Sequence, residues 1–283
     1  MLQMSRFHVR HATRYVYSSP VGLSPHQLYL RPRADHALKL NRSTLTLTPP
    51  AEVVWRNDFY GNSVAVARFM GETDLLEIVS ALDVETFPRS EQQRRALMEM
   101  GALGYSLLEE RVLAPFIQQS RETGDTVQAW VRSGTRIEKG QYERLLECAA
   151  RIRYEFDYRI RQEPGLQTPD ETLRLHSGTC RDFAELMMAA ARSLGCAARF
   201  VTGYVHTPNA EPGASSPHAW AEVYVPAVGW IELDATNGLV DDGDLIPVAS
   251  AASGAELTPI SGAFSGIDAT ATMTLDVDVT LVG

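Results

Sequence analysis

Residues 178–204 read GTCRDFAELMMAAARSLGCAARFVTGY, and the reading of this stretch decides the fold. Phe183, Leu186, Met187, Ala190 and Leu194 fall on one stripe of a helix that begins at Cys180, the pattern of an element with one buried face. Gly195 suits the position after a helix end. AARFVTGYV follows at once, rich in β-branched and aromatic residues, and two more strand-like runs come after it, HAWAEVYVP from His218 and GWIELDAT from Gly229. A helix followed by three successive strands predicts helices packed on an antiparallel sheet, an α+β unit.

Upstream of this unit the pattern is strand-like. From Phe7 to about Glu85 the runs FHVRHATRYVY, HQLYLRP, STLTLTP, VVWRNDFYGNSVAVARF and LLEIVSALDVE are separated by Ser-Pro, Pro-Pro and Tyr-Gly-Asn signals. This predicts an N-terminal antiparallel β-sandwich-like domain over 1–86. Helical spacing sets in after Pro88, with helices expected from Ser90, from Asp125 and through Tyr142–Phe156, so the α+β core with its leading helices is expected over 87–245. The rest, 246–283, reads as a Gly-, Ala- and Ser-rich loop and a last strand in which Met273, Leu275, Val277, Val279 and Leu281 alternate with Thr and Asp. That strand needs a partner, and it is expected to return to the N-terminal β-domain.

Composition narrows the function. The 283 residues carry a formal net charge of −9, yet 1–42 hold seven Arg and Lys against Asp35 alone, and no Lys or Arg follows Arg199 while eleven acids do. Such a second half cannot neutralise phosphates, which argues against a nucleic-acid partner. The N-terminal arginines alternate with Tyr15, Tyr17 and Tyr29, as on the solvated face of strands. No run approaches the roughly eighteen apolar residues of a membrane span, and no apolar signal core opens the chain, so a cytoplasmic protein without a membrane partner is expected. Three cysteines, Cys148, Cys180 and Cys196, form no Cys-x-x-Cys pair, and neither a disulfide framework, a metal nor another cofactor is expected.

One cysteine stands apart. Cys180 opens the helix, where unpaired N–H groups and the positive dipole end favour a thiolate and can hold a developing oxyanion. Cys148 lies mid-helix and Cys196 follows a helix end, where neither effect operates. His218 starts one strand and Asp234 ends the next, nearly equidistant from the turn at Pro226–Gly229, so a hairpin brings them close to within a register step. A thiol, an imidazole and a carboxylate in this order suit nucleophile, base and orienter. A core cysteine, a polar edge histidine and a turn aspartate are the bland alternatives for the three positions.

The runs GTCRDFAELMMAAARSLGCAARFVTGY, HAWAEVYVPAVGW and LDATNG resemble the core of bacterial transglutaminase-like proteins, often described as cysteine proteases. HATRYVYSSPVGLSPHQLYLRPR and FYGNSVAVARF resemble the N-terminal β-domain that accompanies this core in bacteria. The resemblance implies a papain-like core with Cys180 as nucleophile, His218 as base and Asp234 as orienter. It implies a hydrolase of peptide or glutamine-type amide bonds working through a thioester; a protein-glutamine amine transferase with the same triad and a catalytically silent peptide-binding module are the alternatives. Around the triad, Asp182 is expected to bond first-turn N–H groups, Arg181 to pair with a hairpin acid such as Glu222, and Trp220 and Trp230 to wall the cleft. A peptide or protein substrate is the expected partner. Arg181 and Arg199 are expected to neutralise the acidic wall, with a mild preference for neutral or cationic substrates.

Overall fold

The computed structural model describes residues 4–98, 104–118, 125–136, 138–160, 165–208, 217–241 and 243–282. The chain opens with β1 (Ser5–Leu23), β2 (His26–Leu28), β3 (Leu38–Thr48), β4 (Ala51–Asn57), β5 (Ser63–Phe69) and β6 (Glu72–Thr86). β1, β6 and β3 make one antiparallel sheet, and β2, β5 and β4 a second. Tyr17, Leu28, Ala65, Ala67, Leu76 and Ile78 meet between them as a sandwich core. The Ser18-Ser19-Pro20 sequence, read above as a break, lies inside β1. The register with β6 shifts between Val16 and Val21, and this irregularity accommodates a proline that has no N–H to give a ladder.

The second unit runs through α1 (Glu91–Met98), α2 (Leu107–Ile117), α3 (Asp125–Gly134), α4 (Gln141–Glu155), the short β7 (Asp157–Tyr158), α5 (Pro169–Leu175), β8 (Ser177–Gly178), α6 (Cys180–Ser193), β9 (Ala198–Val205), β10 (His218–Val225), β11 (Gly229–Leu233) and β12 (Leu245–Ala251). An antiparallel sheet in the order β11-β10-β9-β12 carries α6. The small face of β10, Ala219, Ala221 and Val223, lets that helix sit close, and Leu186, Met187 and Ala190 are fully buried in the same cluster. α3, α4 and α5 cover the helix from its other sides.

β12 corrects the reading of the tail. LIPVASA lies within the segment taken for loop, yet it pairs with β9, so the core sheet runs past 245 to Ala251. Pro247 and the small residues masked it. The strand occupies the sheet edge, where a proline at a register shift is tolerated.

Beyond it, β13 (Ile260–Ser261) pairs with β2, while β14 (Phe264–Ser265) and β15 (Ala271–Leu281) pair with β1. The β15 register runs from Phe7 opposite Leu281 to Tyr17 opposite Ala271. The sandwich is therefore built from both ends of the chain. The two units also share apolar packing, since Phe7, Val84 and Val277 belong to one cluster with Leu186, Tyr204 and Ile246. Between them His11 is buried, 3.0 Å from the Tyr204 hydroxyl and 2.8 Å from Thr13 Oγ1. Burial pushes its pKa down to about 4, so it is a neutral polar link at physiological pH. Among the described residues no helix is long and apolar enough to cross a membrane.

Candidate active site

The entry into α6 is fixed by a buried carboxylate. Asp182 Oδ2 accepts from the Thr179 N–H at 2.8 Å and the Thr179 hydroxyl at 2.9 Å, while Oδ1 accepts from the Gln167 N–H at 2.8 Å. It thus ties the helix start to the segment before α5. A Cβ at Gly178 would stand 2.9 Å from Asp182 Cβ, which requires glycine where the chain passes this side chain. Cys180 follows as the first residue of the helix and is 8% exposed. The Cys180 and Arg181 N–H groups, in the first turn, have no intrahelical acceptor.

His218 starts β10 and hydrogen-bonds Asp234, with Cys180 as its other neighbour in the site. Its Nε2 lies 2.8 Å from Asp234 Oδ2, which leaves Nδ1 for the thiol. Burial opposes charge on this imidazole, but its interactions with Asp234 and Cys180 prevail and its pKa is pushed up to about 10. Asp234 is 1% exposed, yet its carboxyl is held below the usual range. Desolvation pushes it up, and bonds from His218, the Asn237 amide and the Thr236 N–H more than offset that.

The structure brings together Cys180, His218 and Asp234 and adds two residues that the sequence reading did not single out. Asn237 donates from Nδ2 to Asp234 Oδ2 at 2.8 Å, so this amide and the imidazole converge on one oxygen. Tyr158, from β7, lies beside Cys180, its strand paired with β8 at Gly178. The signal for Asn237 lay in LDATNG; a two-residue strand gives no periodicity that could have flagged Tyr158.

Four supporting residues land differently. Trp220 does flank the imidazole, with ring centroids 6.0 Å apart and planes 26° apart, and is buried behind it with Val201 and Leu245. Trp230 does not wall the cleft. It lies opposite Tyr224, six residues along β10 from His218 and about 20 Å away, under the Arg199 guanidinium at 4.2 Å. Glu222 pairs with Arg199, its neighbour across β9, and not with Arg181. Arg181 instead donates to the Gly254 carbonyl at 3.3 Å, which fastens α6 to the tail. Adjacency in the sheet decided these partners, and face parity alone could not.

The other thiols sit in a different environment. Cys148 and Cys196 are fully buried, and desolvation pushes each to about 12. No group of three or more His, Cys, Asp or Glu side chains among the described residues is arranged to hold a metal.

Comparison with known proteins covers both units. Residues 128–235 match the transglutaminase-like superfamily and residues 7–85 the bacterial transglutaminase-like N-terminal region. An uncharacterized protein of Mycobacterium tuberculosis is 29% identical over 293 residues, 97% of this chain and 92% of its own length. One from Mycobacterium leprae is 29% identical over 287 residues, 98% of this chain and 97% of its own. A solved structure from Cytophaga hutchinsonii, described as a "putative cysteine protease", superposes with a TM-score of 0.78 at 21% identity, covering 99% of this chain and 92% of that one. At that identity it is the fold that is shared.

Proposed function

Because the chain belongs to the transglutaminase-like superfamily, we propose that it is a thiol-dependent hydrolase of peptide or glutamine-type amide bonds, with Cys180 as nucleophile, His218 as general base and acid, and Asp234 as orienter. The observation that carries this reading is the buried His218–Asp234 hydrogen bond with Cys180 beside the same imidazole at the start of α6. Cys180 yields its proton to His218 Nδ1 and attacks the amide carbonyl. The N–H groups at the start of α6 face the oxygen on which charge develops. His218 then protonates the departing amine, and water resolves the thioester.

Casein and a blocked glutaminyl-glycine dipeptide test this. New amino termini from casein, or ammonia from the dipeptide, are expected from the native protein and absent with Cys180→Ala. Equal activity in that variant would overturn the reading. Incorporation of an added primary amine in preference to water would identify an amine transferase, and no turnover with a retained peptide-binding signal would identify a silent module.

Substrate charge follows from the same site. Arg199 is held by Glu222 and Arg181 by a carbonyl, so neither is free to draw in an acidic group. Among matched peptides, those with Lys should be cleaved faster than those with Glu, and the reverse order would refute this preference. The three unpaired thiols suit a reducing compartment, and cell fractionation should find the protein in the cytoplasm.

A further inference from the structure

The strand that precedes the nucleophile carries a phenol to it. β7 runs parallel to β8, with Tyr158 opposite Gly178, two residues before Cys180. It is pinned on both sides of the tyrosine, by the Asp157 N–H to the His176 carbonyl and the Arg159 N–H to the Gly178 carbonyl, each 2.9 Å. The ring packs edge-on against Phe183, one turn along α6, with centroids 6.3 Å apart at 67°. Tyr158 is 49% exposed and Cys180 8% exposed, so the phenol is open to solvent where the thiol is nearly buried. The phenol and the Cys180 thiol are close enough to influence one another.

We propose that Tyr158 is a further catalytic residue, whose hydroxyl donates a hydrogen bond to Cys180 Sγ in the resting site and to the substrate oxygen in the tetrahedral intermediate. This inference rests on the thiol-hydrolase reading given above. In the resting ion pair the sulfur accepts from the His218 imidazolium and from Tyr158 O–H. On attack the sulfur lone pair forms the S–C bond and the carbonyl π pair moves to oxygen. The negative charge thereby moves two bonds, from sulfur across the carbon to oxygen, within the swing of a half-exposed phenol. Tyr158 keeps its proton throughout. When the C–N bond breaks, the leaving nitrogen takes its proton from His218, and the oxygen pair returns to the carbonyl.

Burial, and then the neighbouring Cys180, Asp182 and Asp234, push the phenol up to about 12. It therefore remains a donor across the range in which the His218 imidazolium exists, up to about 10.

Tyr158→Phe removes one oxygen and keeps the ring on Phe183. With the blocked glutaminyl-glycine dipeptide, kcat should fall roughly 10- to 1000-fold while KM stays within about twofold. The pH profile of iodoacetamide labelling at Cys180 should shift upward, since the thiolate has lost a donor. Unchanged kcat and an unchanged labelling profile, in a protein whose Cys180→Ala variant is inactive, would overturn the role of Tyr158. Activity surviving in Cys180→Ala would instead remove the hydrolase reading itself, so the two failures are separable. A fluorinated tyrosine at 158 gives an independent check if the phenylalanine variant folds poorly. Its more acidic phenol should bring the basic-side loss of activity to lower pH, and an unmoved profile would refute the proposal.

Discussion

His218 and Asp234 meet on the diagonal. The β10–β11 register sets Ala221 opposite Leu233, which puts Asp234 across from Trp220, and the imidazole reaches it from two residues further along the same face to make the 2.8 Å contact. Such diagonal neighbours stand about 7–8 Å apart at the backbone, so the carboxylate has to be aimed. The Thr236 N–H and the Asn237 amide aim it.

Loss of that aim should be measurable. Asp234→Ala should lower kcat on the dipeptide by roughly 10²- to 10⁴-fold. Asn237→Ala removes a donor to Asp234 Oδ2 and should cost less, about tenfold, with KM unchanged. Steady-state kinetics on both variants check the ranking, and a larger loss for Asn237→Ala would refute it.

Stability should depend on pH through the same pair. His218 has its pKa raised from an ordinary 6.5 to about 10, so its contribution is fully present below about pH 6.5 and is lost as pH rises through about 10. Asp234 is lowered from its ordinary 3.8, so its contribution is present above that value and lost as pH falls through its depressed folded value. Thermal melting of the native protein and His218→Gln from pH 6 to 10.5 should show the two curves converging on the alkaline side. Parallel curves would contradict the assignment.

Gly203, on β9, lies directly opposite His218. A Cβ there would fall 2.1 Å from the Ile246 carbonyl oxygen and 2.9 Å from the Trp220 ring. Gly203→Ala should therefore destabilise the fold by about 1–3 kcal/mol and reduce activity in the fraction that remains folded, by pushing Trp220 onto the imidazole. Urea unfolding with parallel activity assays tests both parts.

The Arg199–Glu222 pair separates stability from chemistry. Glu222 is 6% exposed and its partner lies over Trp230, far from Cys180. Arg199→Ala leaves a buried carboxylate unpaired and should cost about 3 kcal/mol, while kcat per folded molecule stays within twofold. A large fall in kcat would mean that Glu222 belongs to the site after all.

Legibility in the sequence followed periodicity and position. α6 announces itself by its apolar stripe, and Cys180 by its place at the helix start; β10 and β11 alternate, so His218 and Asp234 could be placed to within a register step. What escaped has no such pattern. β7 is too short to alternate, so Tyr158 carried no signal. β12 escaped because Pro247 and its small residues look like loop. Trp230 and Glu222 were misassigned because parity gives a face of the sheet and not a distance along it. Asn237 stood in the sequence only as one residue of the run LDATNG, although its side chain serves the carboxylate three residues before it.

The return of β15 to β1 sets an order of events on the ribosome. The Val282 N–H bonds the Arg6 carbonyl, and the pairing of β1 with β15 is complete only when residues 271–281 have been synthesised. The nascent chain cannot finish its first-made half before the core is made, so the usual domain-by-domain progress during synthesis is closed to it. Until then β1 offers an open edge, a template for pairing with other chains.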